Sequence, residues 1–281
     1  MLTGALPTRL ISRKAGFALD ALDLSWNDFS GTIPVEWVAD FMEGNGKLTV
    51  LRLHQNTLTG KIPSELCLLP VKDLMLSSNS LTGSIPREIF NTNTLRVLYL
   101  GKNDLTGTLP SEIGLLTNLE YLNLNRTQIS GTLPSEIGLL NQCEELVLSN
   151  TNMQGTIPEE LYTGLNPGYL YLDGSSFTGT ISPSLGLLTN LEELHVSNNH
   201  FHGTVPNEIE ALTLLRELLV NGNDLSGTVP VSFCHNRYAG ERSSKVVADC
   251  LPNPETRVTT IQCASDCCTT CCDETGVCLA T

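Results

Sequence analysis

Apolar residues recur along this chain at fixed intervals. From Leu19 to Phe233 the order L-x-x-L-x-L-x-x-N-x-L-x-G-x-I-P-x-x-L appears nine times, starting at Leu19, Leu48, Val71, Leu95, Leu119, Cys143, Pro167, Leu191 and Leu215. The step is 24 residues from Val71 onward, while the first copy has 29 and the second 23. The glycine column, from Gly31 to Gly227, is filled in all nine, and the proline three residues later fails only at Ser182. In L-x-L, alternate side chains point to one face, which predicts a short strand. Strands of successive copies pair in parallel at one spacing. Glycine permits close backbone approach and proline ends a second short strand. No copy buries its leucines alone, so only stacking creates a core.

The asparagine column has its own task. A buried amide at that point bonds backbone groups of neighbouring coils and leaves no polar group of the turn unpaired. Asn27, Asn56, Asn79, Asn103, Asn199 and Asn223 fill it. Thr127, Thr151 and Ser175 replace it in three consecutive copies, and their shorter hydroxyls predict a local adjustment there.

A period of roughly 20–29 residues with this spacing is the leucine-rich-repeat signature. L-x-G-x-I-P after L-x-x-L-x-L-x-x-N resembles the plant-type repeats of receptor-like kinases, receptor-like proteins and polygalacturonase-inhibiting proteins. The resemblance covers residues 19–233. It implies an α/β solenoid: a superhelix with a parallel concave β-sheet, a second short β-sheet and short or 3-10 helices on the convex side. It also implies a secreted protein or the ectodomain of a membrane protein, with a peptide, protein or glycan as ligand. A co-receptor or a cell-wall enzyme is an implied further partner. No kinase signature follows the repeats.

Composition narrows this further. There are 48 leucines but only 5% aromatics, as expected of one small unit repeated. With 16 Lys plus Arg against 30 Asp plus Glu, the formal charge is −14, which argues against nucleic acid and against an anionic membrane surface. No apolar run reaches the ~18 residues of a membrane span.

The ends differ from the middle. Leu2–Pro7, LTGALP, matches the second half of a repeat, so residues 1–18 read as a partial repeat or a makeshift cap. The absence of a preceding strand and of an apolar leader leads us to expect a fragment of a longer secreted or receptor-like chain. Residues 234–281 hold Cys234, Cys250, Cys263, Cys267, Cys268, Cys271, Cys272 and Cys278, but only two leucines. Eight clustered cysteines in a polar segment read as a disulfide-rich cap made in an oxidising compartment, with the pairing open. A metal cluster is the alternative, but its C-x-x-C pairs overlap instead of being spaced apart. Cys67 and Cys143 are expected to be free thiols.

Within L-x-x-L-x-L-x-x-N, the third and fifth positions face the concave solvent side. They bring Tyr99, Tyr121, Tyr169 and Tyr171, four of the six tyrosines, onto one sheet beside Glu145, Glu193 and Glu217. With Asn123, Asp173 and His195 these residues form the candidate ligand face, since tyrosine gives much contact area for little side-chain entropy. The opposing consideration is that aromatics suit strands generally. The acidic members would select a basic peptide or protein loop, and Arg52, His54 and Arg126 could hold a carboxylate. Glu193 and Glu217 fall ~5 Å apart, near the separation of a retaining glycosidase, yet an open sheet offers no pocket. No catalytic residue, metal site or cofactor is therefore expected, and His200 and His202 read as solvated. Asn125-Arg126-Thr127 is a glycosylation sequon. The two x positions of L-x-G-x-I form a double file of Ser and Thr, as in Thr106/Thr108 and Thr178/Thr180, resembling the arrays of ice-binding solenoids. Lys61, Gln154 and His202 break it.

Overall fold

The computed structural model describes residues 1–10, 19–43, 47–230, 245–249, 261–262, 270–272 and 278–280. Cys234, Cys250, Cys263, Cys267 and Cys268 lie outside these residues, as do the side chains of Cys271, Cys272 and Cys278, so the disulfide expectation falls there too. The solenoid expected from the repeat is present. Its concave sheet has twelve strands, nine of them supplied by the L-x-L cores from Ala21–Asp23 to Glu217–Leu219. These pair in parallel and in register, with Leu98, Leu122, Leu146, Leu170, Leu194 and Leu218 in one row, each at most 1% exposed. Burying each such leucine contributes about 1.5–3 kcal/mol.

The concave sheet does not stop at the last repeat. Lys245–Ala248 pairs in parallel with Glu217–Leu219, Thr270–Cys272 follows it, and Cys278–Ala280 closes the edge antiparallel. At the other end, Thr3–Ala5 pairs with Asp28–Gly31, so LTGALP is the second half of a coil, as its sequence suggests. Leu6 is buried there, and the Trp37 indole N–H donates to the Pro7 carbonyl at 2.7 Å. The extra residues of the first repeat are used in an α-helix, Glu36–Glu43, that buries Trp37 and Phe41. Elsewhere the convex side carries 3-10 helices, such as Ser111–Leu115 and Ser135–Leu139, and one short α-helix, Glu159–Gly164.

The asparagine column works as a bracket between coils. Asn103 donates to the carbonyls of Leu100 (2.9 Å) and, one coil back, Leu76 (3.0 Å), and accepts from the Leu81 N–H at 3.0 Å. Asn56, Asn79, Asn199 and Asn223 each reach back the same way. Among the described residues, Asn27 bonds only its own coil and the Leu2 N–H. Thr127 is too short to reach across: its hydroxyl donates to Leu124 O within its own coil. The second sheet divides at this point, with five strands before it, ending at Asp104–Thr106, and six after it, beginning at Ser130–Gly131. The bridge from Thr108 to Ser130 spans the seam, with Gln128 N–H donating to Leu105 O and Ser130 N–H to Gly107 O, each at 2.8 Å. Thr151 and Ser175 bond each other at 3.1 Å and so restore a link the amides would have made.

Candidate functional site

The strand register brings the expected concave residues together. Tyr121, Glu145, Tyr169, Glu193 and Glu217 form one column, and Tyr99, Asn123, Val147, Tyr171, His195 and Leu219 the next. Three of the four tyrosine hydroxyls are held by carboxylates. Tyr121 donates to Glu144 at 2.5 Å, Tyr171 donates to Glu193, and Tyr99 bonds Glu145. These carboxylates raise the tyrosine pKa values, and Tyr121 is pushed up to about 12, chiefly by its bond to Glu144. Burial and the neighbouring carboxylates push Tyr99 and Tyr171 further up, so all three hydroxyls remain protonated donors. Burial pushes the Glu145 carboxyl up as well. Ser149 donates to Asp173 at 2.6 Å.

Toward the C-terminal end the acidic row is compensated. Arg216 reaches Glu193 at 2.5 Å and Glu192 at 3.1 Å and lies over the Tyr169 ring at 6.0 Å. Lys245 donates to Glu217 at 2.9 Å. His195 stacks on Tyr171, its centroid 4.3 Å away, with Nε2 3.2 Å from Glu217. Ligand atoms of Glu193, His195 and Glu217 lie within 4.8 Å of one another, the donor set among the described residues that would suit a divalent cation. Arg216 and Lys245 already neutralise its carboxylates. The same pairing leaves neither glutamate free for a glycosidase pair. Glu144, Glu145 and Asp173, in contrast, have neutral hydroxyls as partners. Glu144 and Arg216 stand at the second position of their repeats and Lys245 on the tail strand, outside the third and fifth positions read from the sequence.

The remaining expected residues separate. Arg52 lies between Asp23 and Asp73, 3.7 Å from each, and His54 is half-buried beside it. Arg126 is exposed several coils away, so these three do not form one carboxylate site. Asn125 is half-buried, with its amide oxygen against Gly101. His200 and His202 are exposed. Cys67 and Cys143 are free, their thiol pKa values pushed up to about 12 by burial.

The Ser/Thr file is exposed but has a packing task. The methyls of Thr108, Thr132, Thr156, Thr180 and Thr204 each lie 2.8–3.1 Å from where a β-carbon on the next coil's glycine would stand. Those glycines all have φ between 81° and 87°, in the left-handed region. In the companion file, Thr59, Ser130 and Ser226 donate to a glycine carbonyl of the preceding coil.

The profile of the leucine-rich repeat matches residues 47–69, 94–116, 118–140, 190–212 and 214–236. The repeats are leucine-rich repeats, and the solved structures they resemble include plant receptor ectodomains. Comparison with curated proteins gives no match. Among solved structures, this leucine-rich-repeat chain is similar to a TDR receptor at 29% identity and TM-score 0.79, covering 88% of this chain and 41% of that one. It is similar at 29% identity and TM-score 0.77 to the Arabidopsis receptor kinase HAESA, solved with the peptide hormone IDA and the co-receptor SERK1. That match covers 99% of this chain and 46% of that one, so the chain spans less than half the length of either receptor structure. A plant ice-binding protein matches at 26% identity and TM-score 0.73, covering 82% of this chain and 71% of that one.

Proposed function

We propose that this chain is an extracellular recognition module that binds an extended peptide or protein segment along the concave face between Tyr99 and Glu217. The observation that carries the reading is the set of tyrosines whose hydroxyls are held by carboxylates on one open sheet. Rings fixed in this way lose little further entropy on binding. From Tyr99 to Glu217 the face spans five strand spacings, about 24 Å, which matches roughly seven residues of extended chain. Glu144, Glu145 and Asp173 favour a ligand with positive charge at the middle of that span, and the charge of −14 steers it in. The likeness to a receptor solved with a peptide hormone supports the same class, and with it a partner protein of the co-receptor kind. An extracellular setting also accounts for the eight cysteines of the tail. A panel of basic and acidic peptides titrated by calorimetry tests the proposal. Binding of acidic peptides alone, or binding unchanged in Tyr121→Ala and Tyr171→Ala, would falsify it. A glycan or a cell-wall enzyme captured on this face is the alternative outcome of the same assay.

A second reading rests on the exposed threonine file. From Thr108 to Thr228 six threonines follow one another at a single strand spacing, and those up to Thr204 have their methyls packed on glycine, which orders the hydroxyls. Such an array matches a lattice of ordered water, and the likeness to a plant ice-binding protein supports this. Against it, each threonine from Thr108 to Thr204 already has a packing reason to be there.

A further inference from the structure

The eighth position of L-x-x-L-x-L-x-x-N is left-handed in every repeat. Its occupants are Trp26, Gln55, Ser78, Lys102, Arg126, Asn150, Gly174, Asn198 and Gly222, with φ between 51° and 68°. Glycine and asparagine suit that conformation, and a bulky aromatic pays for it. Trp26 is the only aromatic in the column. Packing does not repay the cost, because the residue is 64% exposed and its ring touches only the edge of His54, centroids 6.4 Å apart, among the described ring pairs. The fold gives no reason for an indole at this place.

The groups around it are polar and incompletely satisfied. Arg52 holds Asp23 and Asp73 at 3.7 Å, too far for hydrogen bonds, and its Nε has no partner among the described residues. The Nδ1 of His54 is likewise buried without a partner. Asp23 is oriented by the Ser25 N–H at 3.0 Å and the Ser25 hydroxyl at 2.5 Å. Burial pushes the His54 pKa down, so the imidazole is neutral at pH 7. One guanidinium against two carboxylates leaves a net charge of −1, which repels an anion. The patch therefore offers an exposed flat apolar plate beside fixed planar donors and acceptors.

The geometry points to a subsite for a neutral oligosaccharide, in which one pyranose ring lies on the Trp26 indole and hydroxyls of that ring and the next bond Arg52, Asp23 and Asp73. The axial C–H face of a pyranose is the apolar surface that fits an indole, and its equatorial hydroxyls lie in the plane that carboxylates and guanidinium bond in pairs. An anionic glycan is disfavoured by the net negative charge, and Arg52 already stands between the two aspartates where a sugar ammonium would have to go. The subsite lies in the first three repeats, outside the Tyr99–Glu217 face, so it stands or falls separately from the peptide reading.

The chain carries its own probe. It has two tryptophans, and Trp37 is fully buried, so quenchable emission comes from Trp26. Titration with cellohexaose, laminarihexaose and xylohexaose should give, for at least one of them, a saturable blue shift with reduced acrylamide quenching. Polygalacturonate and a basic peptide should give none. Trp26→Asn, followed by calorimetry, should weaken binding about tenfold or more while keeping or raising Tm, since asparagine prefers the left-handed conformation. Arg52→Gln should weaken binding with Trp26 emission in the free protein unchanged, and Tyr121→Ala should leave saccharide binding intact. Silence across the neutral panel, binding that persists in Trp26→Asn, or a shift with polygalacturonate alone overturns the assignment. So does a fall in Tm for Trp26→Asn, because the indole would then serve the fold.

Discussion

The imidazole of His195 stacks on the phenol of Tyr171, ring centroids 4.3 Å apart and planes within 19°. Burial pushes the His195 pKa below 6.5 in spite of Glu217, Asp173 and Glu193 nearby. The unfolded chain thus takes up the proton before the folded one does. Stability is full above pH 6.5 and declines as pH falls from 6.5 toward the lower folded-state value. His54 shifts the same way for the same reason. Urea midpoints measured across this range should fall with pH, and His195→Gln should flatten part of the slope.

Removing one bracket should show what the amides contribute. Asn103→Ala deletes the amide's bonds to the carbonyls of Leu76, Leu100 and Gly101 and its acceptance from the Leu81 N–H, and should cost on the order of 2–3 kcal/mol. Thr127→Asn places an amide where the second sheet divides and should stabilise the chain by about 0.5–1.5 kcal/mol. Chemical denaturation of the three proteins side by side decides both.

Columns of like residues carried most of this architecture. Leucine spacing located the concave strands, glycine and proline located the second sheet, and the half-repeat at Leu2 found its place by the same rule. What the columns could not convey was side-chain direction. Tyr121 bonds Glu144, one column away, and Arg216 leaves its column to reach Glu193, because rotamers and charge decide this rather than periodicity. The left-handed backbone at Trp26 was also hidden. Gly174, Gly222, Asn150 and Asn198 in the same column were the signal for it.

On the concave face, Tyr121→Ala and Tyr171→Ala should each weaken peptide binding by about 1–3 kcal/mol. Tyr171→Phe should fall between, since it keeps the ring and releases Glu193. Thr132→Ala should leave peptide affinity unchanged while lowering stability by about 0.5–1 kcal/mol through the methyl lost from Gly155. Calorimetry and thermal unfolding on one set of proteins separate the two effects.

The threonine file makes a different demand. An ice binder would show thermal hysteresis that disappears when Thr108, Thr132, Thr156 and Thr180 are replaced by bulky residues. Its absence from the parent protein at high concentration removes that reading.

For the tail we expect four disulfides and no zinc in natively made protein. Intact mass before and after reduction should differ by eight hydrogens beyond the two free thiols at Cys67 and Cys143. Eight free thiols would overturn both the disulfides and the extracellular setting.

The interruption at Thr127 has a mechanical meaning. Across it the concave ribbon is continuous, two backbone bonds, Gln128 N–H to Leu105 O and Ser130 N–H to Gly107 O, persist on the other side, and the 3-10 helices Ser111–Leu115 and Ser135–Leu139 still pack on each other. What the seam lacks is the amide that elsewhere clamps a coil to the carbonyl of the one before. The fourth and fifth coils are therefore held by one tie fewer than their neighbours, beneath Tyr99 and Tyr121, and a ligand spanning both would supply a tie where the fold omits one.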